Sequence, residues 1–214
     1  MQKSFGFLCL CLVSLSGCSS SSNNATNLVV IGNSITLHAP NPAIGWYGDW
    51  GMAAPAAEMD FSHLVAGELT LPLSVNNLGI ESQPTNSLPQ IPVLAEKVGP
   101  GTIVILELGD NAPFGGNVAG FESAYEQLAA TMGSKGGSLV CVSTWWHYQN
   151  IDEMVQTACE AHSGHYVYIG DLFTDPDNTD RQSTAYSNWQ VNDHPRQWGH
   201  LHIAERVLDQ IRGQ

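Results

Sequence analysis

The chain has 214 residues, 43% of them hydrophobic and 8% aromatic, and 7 Lys and Arg stand against 20 Asp and Glu for a net charge of −13. That length suits one α/β domain with a real core and is short for two. A surface this acidic repels nucleic acid and anionic membrane, which excludes polyanion binding as a general function and favours neutral substrates.

Residues 1–17 read as a signal peptide: Lys3 supplies the positive start, and the apolar run Phe5 to Leu15 is too short to span a bilayer. Leu15-Ser16-Gly17-Cys18 resembles the lipobox of bacterial lipoproteins, which implies cleavage before Cys18 and lipid on its thiol and new amino terminus. Residues 18–26, with Ser19 to Asn24, form a flexible tether, and 27–214 form the folded domain. The expected location is therefore exported and anchored, with membrane contact through lipid alone.

The apolar run Leu28–Gly32 predicts a buried strand that stops at Gly32-Asn33, with Ser34 following at once. A hydroxyl outside the carboxyl end of a central strand sits where open α/β sheets place their chemistry. Further strands are predicted over 73–78, 102–108, 138–143 and 165–169, and helices over 53–69, 87–98, 119–133, 151–162 and 195–212. This alternation predicts an α/β fold with a parallel sheet. In the last helix Trp198, Leu201, Ala204, Val207, Leu208 and Ile211 form one apolar stripe. The connection from Leu37 to Met52 carries Pro40, Pro42, Gly45, Gly48 and Gly51 and cannot be regular.

Of five cysteines, Cys9 and Cys11 leave with the signal and Cys18 takes lipid. Cys141 and Cys159 remain, on a consecutive strand and helix; a disulfide and two separate buried thiols fit about equally.

In a parallel sheet the first three strand ends share one edge, which brings Ser34, Gly79 and Asn111 together. Acyl transfer needs such a set: a nucleophilic hydroxyl, a base, and neutral donors for the oxyanion. Gly32-Asn33-Ser34-Ile35-Thr36, Gly79, Gly109-Asp110-Asn111 and His194-Pro195 with Gly199-His200 and Ala204 occur in the order found in the SGNH (GDSL-like) hydrolases. The chain resembles that family across 27–214. The resemblance implies a flavodoxin-like three-layer α/β/α sandwich and ester hydrolysis with no cofactor and no metal. It further implies Ser34 as nucleophile, His194 as base, and the Ser34 amide, Gly79 amide and Asn111 side chain as the oxyanion hole.

One position departs from the family pattern. The family usually has an aspartate three residues before its histidine, and here that residue is Val191. Three readings compete: Asp193 bends back as orienter, a Ser–His dyad is oriented by a backbone carbonyl or by Asn192, or the site is crippled. The dyad is favoured, because some carbohydrate esterases of the family lack the acid.

Trp46, Tyr47 and Trp146 are the expected substrate-facing aromatics, with Trp145 packed inside; that these loop aromatics form a small hydrophobic core of their own fits about equally. An exported esterase with an aromatic site suggests small acyl groups, chiefly acetyl, removed from carbohydrate. A lipase or thioesterase acting on longer chains and a catalytically impaired glycan-binding lipoprotein are the rivals. His38 and His63 stand where they could line the pocket, with solvent exposure the favoured reading; His200 and His202 read as surface or helix-packing, and the Asp175–Asp180 segment as a solvated acidic loop.

Overall fold

The computed structural model describes residues 25–182 and 185–213. The signal peptide, Cys18 and most of the tether lie outside the described residues. Five strands form one all-parallel sheet: β1 (Asn27–Gly32), β2 (Leu73–Asn77), β3 (Thr102–Glu107), β4 (Ser138–Val142) and β5 (His165–Val167), in the order β2-β1-β3-β4-β5. The helices are α1 (Phe61–Leu69), α2 (Pro84–Ser87), α3 (Gln90–Ala95), α4 (Val118–Ser134), α5 (Gln149–Ala161), α6 (Trp189–Asn192) and α7 (Gln197–Arg212).

Side chains of a strand alternate between faces, and both faces here are covered. Val29, Ile31, Val104 and Leu106 join Ile91, Phe121, Leu128 and Val155 of α3, α4 and α5 in one core. Leu28, Val30, Ile103 and Ile105 join Phe61 and Val65 of α1 and Ile203 and Val207 of α7 in the other. Removing a side chain of this size from water contributes roughly 1.5–3 kcal/mol, so each layer rests on many such contacts. The result is a flavodoxin-like α/β/α sandwich. From β1 the chain crosses to β2 on one side and later returns to β3 on the other. The β1/β3 boundary is therefore the switch point, outside which open α/β sheets bind ligands.

Cys141 and Cys159, 18 residues apart, are disulfide-bonded, tying β4 to α5. The helix expected from residue 53 begins only at Phe61: Ala53 has φ 68°, Pro55 follows, Ala57–Met59 form a single 3-10 turn, and the Asp60 side chain caps α1 through the His63 amide. The buried stripe of α7 is His200, Ile203, Ala204, Val207, Leu208 and Ile211. Trp198, expected on it, is 49% exposed and Leu201 only half-buried, because the helix turns His200 inward.

Candidate active site

The Ser34 loop follows from the residues at the end of β1. A Cβ on Gly32 would lie 1.9 Å from Thr36 Oγ1 and 2.7 Å from the Glu107 carbonyl oxygen, so only glycine fits. Asn33 is buried; its Oδ1 accepts the Ile35 amide at 2.9 Å and its carbonyl accepts the amides of Thr36 and Leu37. This Asx turn ends the strand and swings Ser34 out over the sheet edge.

Ser34 Oγ lies 2.8 Å from His194 Nε2. On the far side of the ring, Nδ1 lies 2.7 Å from the main-chain oxygen of Gln190. A carbonyl only accepts, so Nδ1 carries the proton and donates it. Nε2 then presents a lone pair to the serine hydroxyl. The ring is buried and meets Trp146 edge-on, centroids 5.2 Å apart. Burial pushes the His194 pKa down from 6.5 to about 4, opposed by the Gln190 bond and reinforced by His200 and His38. The imidazole is neutral at pH 7. Gly79 and Asn111 line the same cleft, of about 510 Å³.

No protein-family model matches the sequence, and no curated protein is similar to it. Solved structures are. A protein from Bacteroides ovatus described as a GDSL-like lipase superposes with TM-score 0.61 at 15% identity over 89% of this chain and 100% of that one. TesA gives TM-score 0.59 at 14% identity over 87% and 98%. The psychrotrophic esterase EstA from Pseudoalteromonas, a structure inhibited by monoethylphosphonate, gives 0.58 at 16% identity over 88% and 97%. The fold is that of the GDSL (SGNH) hydrolases.

Within this GDSL fold, Asp193, Asn192, Trp46 and Tyr47 stand elsewhere than expected. Asp193 is no orienter of His194: its carboxylate pairs with Arg181 Nε at 3.1 Å, and its carbonyl accepts from Trp145 Nε1 at 3.0 Å. Adjacent residues at the end of a helical turn point apart, and Asp193 faces away from the ring. Asn192 is likewise engaged, with both the amide and carbonyl of Tyr186. Trp46 is no substrate wall: it is 2% exposed and forms a small core with Met52 and Val191 beneath the loop. Tyr47 is 73% exposed but is not among the residues lining the cleft. Trp146 does line it, and Trp145 is fully buried.

The aromatics that the sequence reading missed are Phe114 and Trp189, 76% and 70% exposed on the cleft rim. Trp189 sits five residues before His194, and Phe114 three after Asn111, so proximity to the expected site residues was the available signal. His200, read as surface or helix-packing, is buried. Its Nδ1 accepts the Phe61 amide and its Nε2 bonds the Met52 carbonyl, while the Met52 amide bonds the Ser34 carbonyl. It therefore braces the segment that supports Ser34.

Three buried carboxyls lie under the site. Thr36 Oγ1 donates to Glu107, and Asp110 accepts the Trp145 amide at 2.8 Å and Asn33 Nδ2 at 3.2 Å. Burial, with Asp110 next, raises the Glu107 pKa well above the usual carboxyl range; burial and Glu81 raise Asp110 to about 7. Burial favours the neutral form of Glu107, whose second carboxyl oxygen has no hydrogen-bond partner among the described residues. The signal was a glutamate inside the apolar run Thr102–Leu108.

Proposed function

We propose that the protein is an exported, lipid-anchored serine esterase that removes small acyl groups, chiefly acetyl, from carbohydrate through an acyl-enzyme at Ser34. The observation that carries this reading is the single line from Ser34 Oγ through the His194 ring to the Gln190 carbonyl.

In the reaction Nε2 takes the Ser34 proton as Oγ attacks the ester carbonyl. The Ser34 and Gly79 amides and the Asn111 side chain stabilise the oxyanion; losing one such donor costs roughly 10²–10³ in rate. The imidazolium returns the proton to the leaving alcohol. Water then adds to the acyl-enzyme with His194 again as base, releasing acid and free serine.

The lining supports the substrate class. Phe114, Trp146 and Trp189 offer flat apolar faces, and Asn77, Ser82 and Asn188 offer neutral hydrogen-bonding groups. No Lys or Arg lines the cleft among the described residues, so nothing there recruits an anionic substrate. Rings beside uncharged donors and acceptors suit a sugar bearing a short ester. The disulfide and the anionic surface accord with a life outside the cytoplasm.

An acyl-chain series tests the reading. p-Nitrophenyl acetate and acetylated xylan should turn over, with kcat/KM for the octanoyl ester lower by about tenfold or more, the order that one or two unaccommodated methylenes produce. Trp189→Ala should raise KM on the polymer and leave p-nitrophenyl acetate unchanged. Equal turnover of acetyl and octanoyl esters would favour the lipase reading instead.

A further inference from the structure

We propose that Glu81 is a positioning residue that fixes the Asn111 side-chain amide so that one of its N–H bonds faces the cleft as an oxyanion donor. The role rests on the hydrolase reading above and adds a residue to it.

Glu81 lies in the turn after β2 and is 2% exposed. Its Oε2 accepts from Asn111 Nδ2 at 2.9 Å. Its Oε1 accepts the Asn111 amide at 3.2 Å, Asn33 Nδ2 at 3.2 Å, and the Gly109 amide. One carboxylate thus joins the loop before the nucleophile, the exit of β2 and the exit of β3, the three segments that carry Ser34, Gly79 and Asn111.

The chemistry of the acceptor decides which way the amide points. An asparagine side chain presents either NH₂ or oxygen to a neighbour, and a carboxylate tolerates only the NH₂. One of the two N–H bonds is committed to Oε2, and the other is left over. Asn111 itself is exposed and lines the cleft beside Ser34, so the remaining donor needs no rearrangement as negative charge develops. A glutamine at position 81 has one acceptor oxygen in place of two. Its own NH₂ would face either Asn111 Nδ2 or the amides of Gly109 and Asn111. Such a donor–donor clash releases the Asn111 amide or flips it.

The test is a double-mutant cycle on p-nitrophenyl acetate. Asn111→Ala should lower kcat by about 10²–10³, the loss of one oxyanion donor. Glu81→Gln should lower kcat by about 10- to 100-fold with KM within about twofold. The double variant should be no more than about threefold slower than Asn111→Ala alone, because Glu81 acts through Asn111. Independent losses that multiply, or a Glu81→Gln kcat within about threefold of the parent, would overturn the role. A readout on the Ser34→Ala chain does not depend on how Glu81→Gln folds. The Asn111 NH₂ pair, identified by its loss on Asn111→Ala, should show two well-separated proton resonances in NMR spectra, one protected from exchange. A rapidly exchanging, solvent-like pair overturns the role. A parent chain with no ester turnover and an unreactive Ser34 would remove the hydrolase reading itself. Normal turnover with an indifferent Glu81→Gln would remove only this role.

Discussion

The Nδ1–H of His194 donates to the main-chain oxygen of Gln190, four residues earlier, at 2.7 Å. A backbone carbonyl thus occupies the position that an orienting carboxylate fills in a serine triad. It fixes the tautomer equally well, since it too only accepts, but it brings a partial charge where a carboxylate brings a full one. The ring is held in the orientation the proposed reaction requires, and an imidazolium formed in that reaction would be stabilised less.

Asp193→Ala should therefore retain kcat within about threefold of the parent. Losing an orienting aspartate costs ~10⁴ in a serine protease, so steady-state kinetics separates the two cases easily. What Asp193→Ala removes is the Arg181 pair, which is partly exposed and worth little.

Restoring the family's aspartate at 191 should not help. Val191 is 1% exposed and its side chain packs with Trp46 and Met52. Val191→Asp would bury a carboxyl against apolar groups and should lower stability by about 2–4 kcal/mol, read in urea unfolding, with no gain in kcat. A faster variant would mean the loop can carry a conventional triad.

Activity should persist into acid. His194 must be neutral to act as base, and burial holds its pKa near 4 against an ordinary 6.5. The acid limb of kcat/KM should then fall well below pH 6, with more than half of the plateau value left at pH 5.5; a limb centred on the ordinary value contradicts the burial. Stability follows a mixed course. His194 and His200 both have lowered pKa values, so the unfolded chain takes up protons first and their contribution, full above 6.5, is lost as pH falls toward 4. Asp110, raised from 3.8 to about 7, works the other way: its contribution is full below 3.8 and lost as pH rises through 7.

Replacing Cys141 and Cys159 by serine should cost about 3 kcal/mol, the loop-closure value for a link of this span, and lower Tm by roughly 6–12 °C. Calorimetry of the variant against the parent reads it. Both residues lie on the side of the sheet formed with α5, away from Ser34, so kcat should be unchanged.

The sheet was largely legible because the runs at 28, 102 and 138 are apolar, β-branched and bounded by glycine or polar turns; β1 starts one residue early, the other strands start where expected, and none ends more than two residues short. The start of α1 was not legible: the left-handed turn at Ala53, which with Pro55 delays it to Phe61, is visible only in the folded backbone. Ser34, His194, Gly79 and Asn111 were legible through motif order, since parallel strands deliver their ends to one edge. Trp46 against Trp189 was not: which of two loop tryptophans turns inward depends on Met52 and Val191, residues distant in sequence that only the fold brings together. Glu81 comes from the turn after β2, and Glu107 and Asp110 from the exit of β3, so their shared burial is likewise a product of the tertiary structure.

Intact-mass analysis after exposure to a fluorophosphonate tests the central claim most directly, because it reports whether His194 activates the Ser34 hydroxyl independently of any substrate. The account predicts a single adduct on the parent chain, mapped to Ser34 by peptide sequencing, absent from Ser34→Ala and strongly slowed in His194→Ala. An unmodified parent, or an adduct that persists in Ser34→Ala, would contradict it.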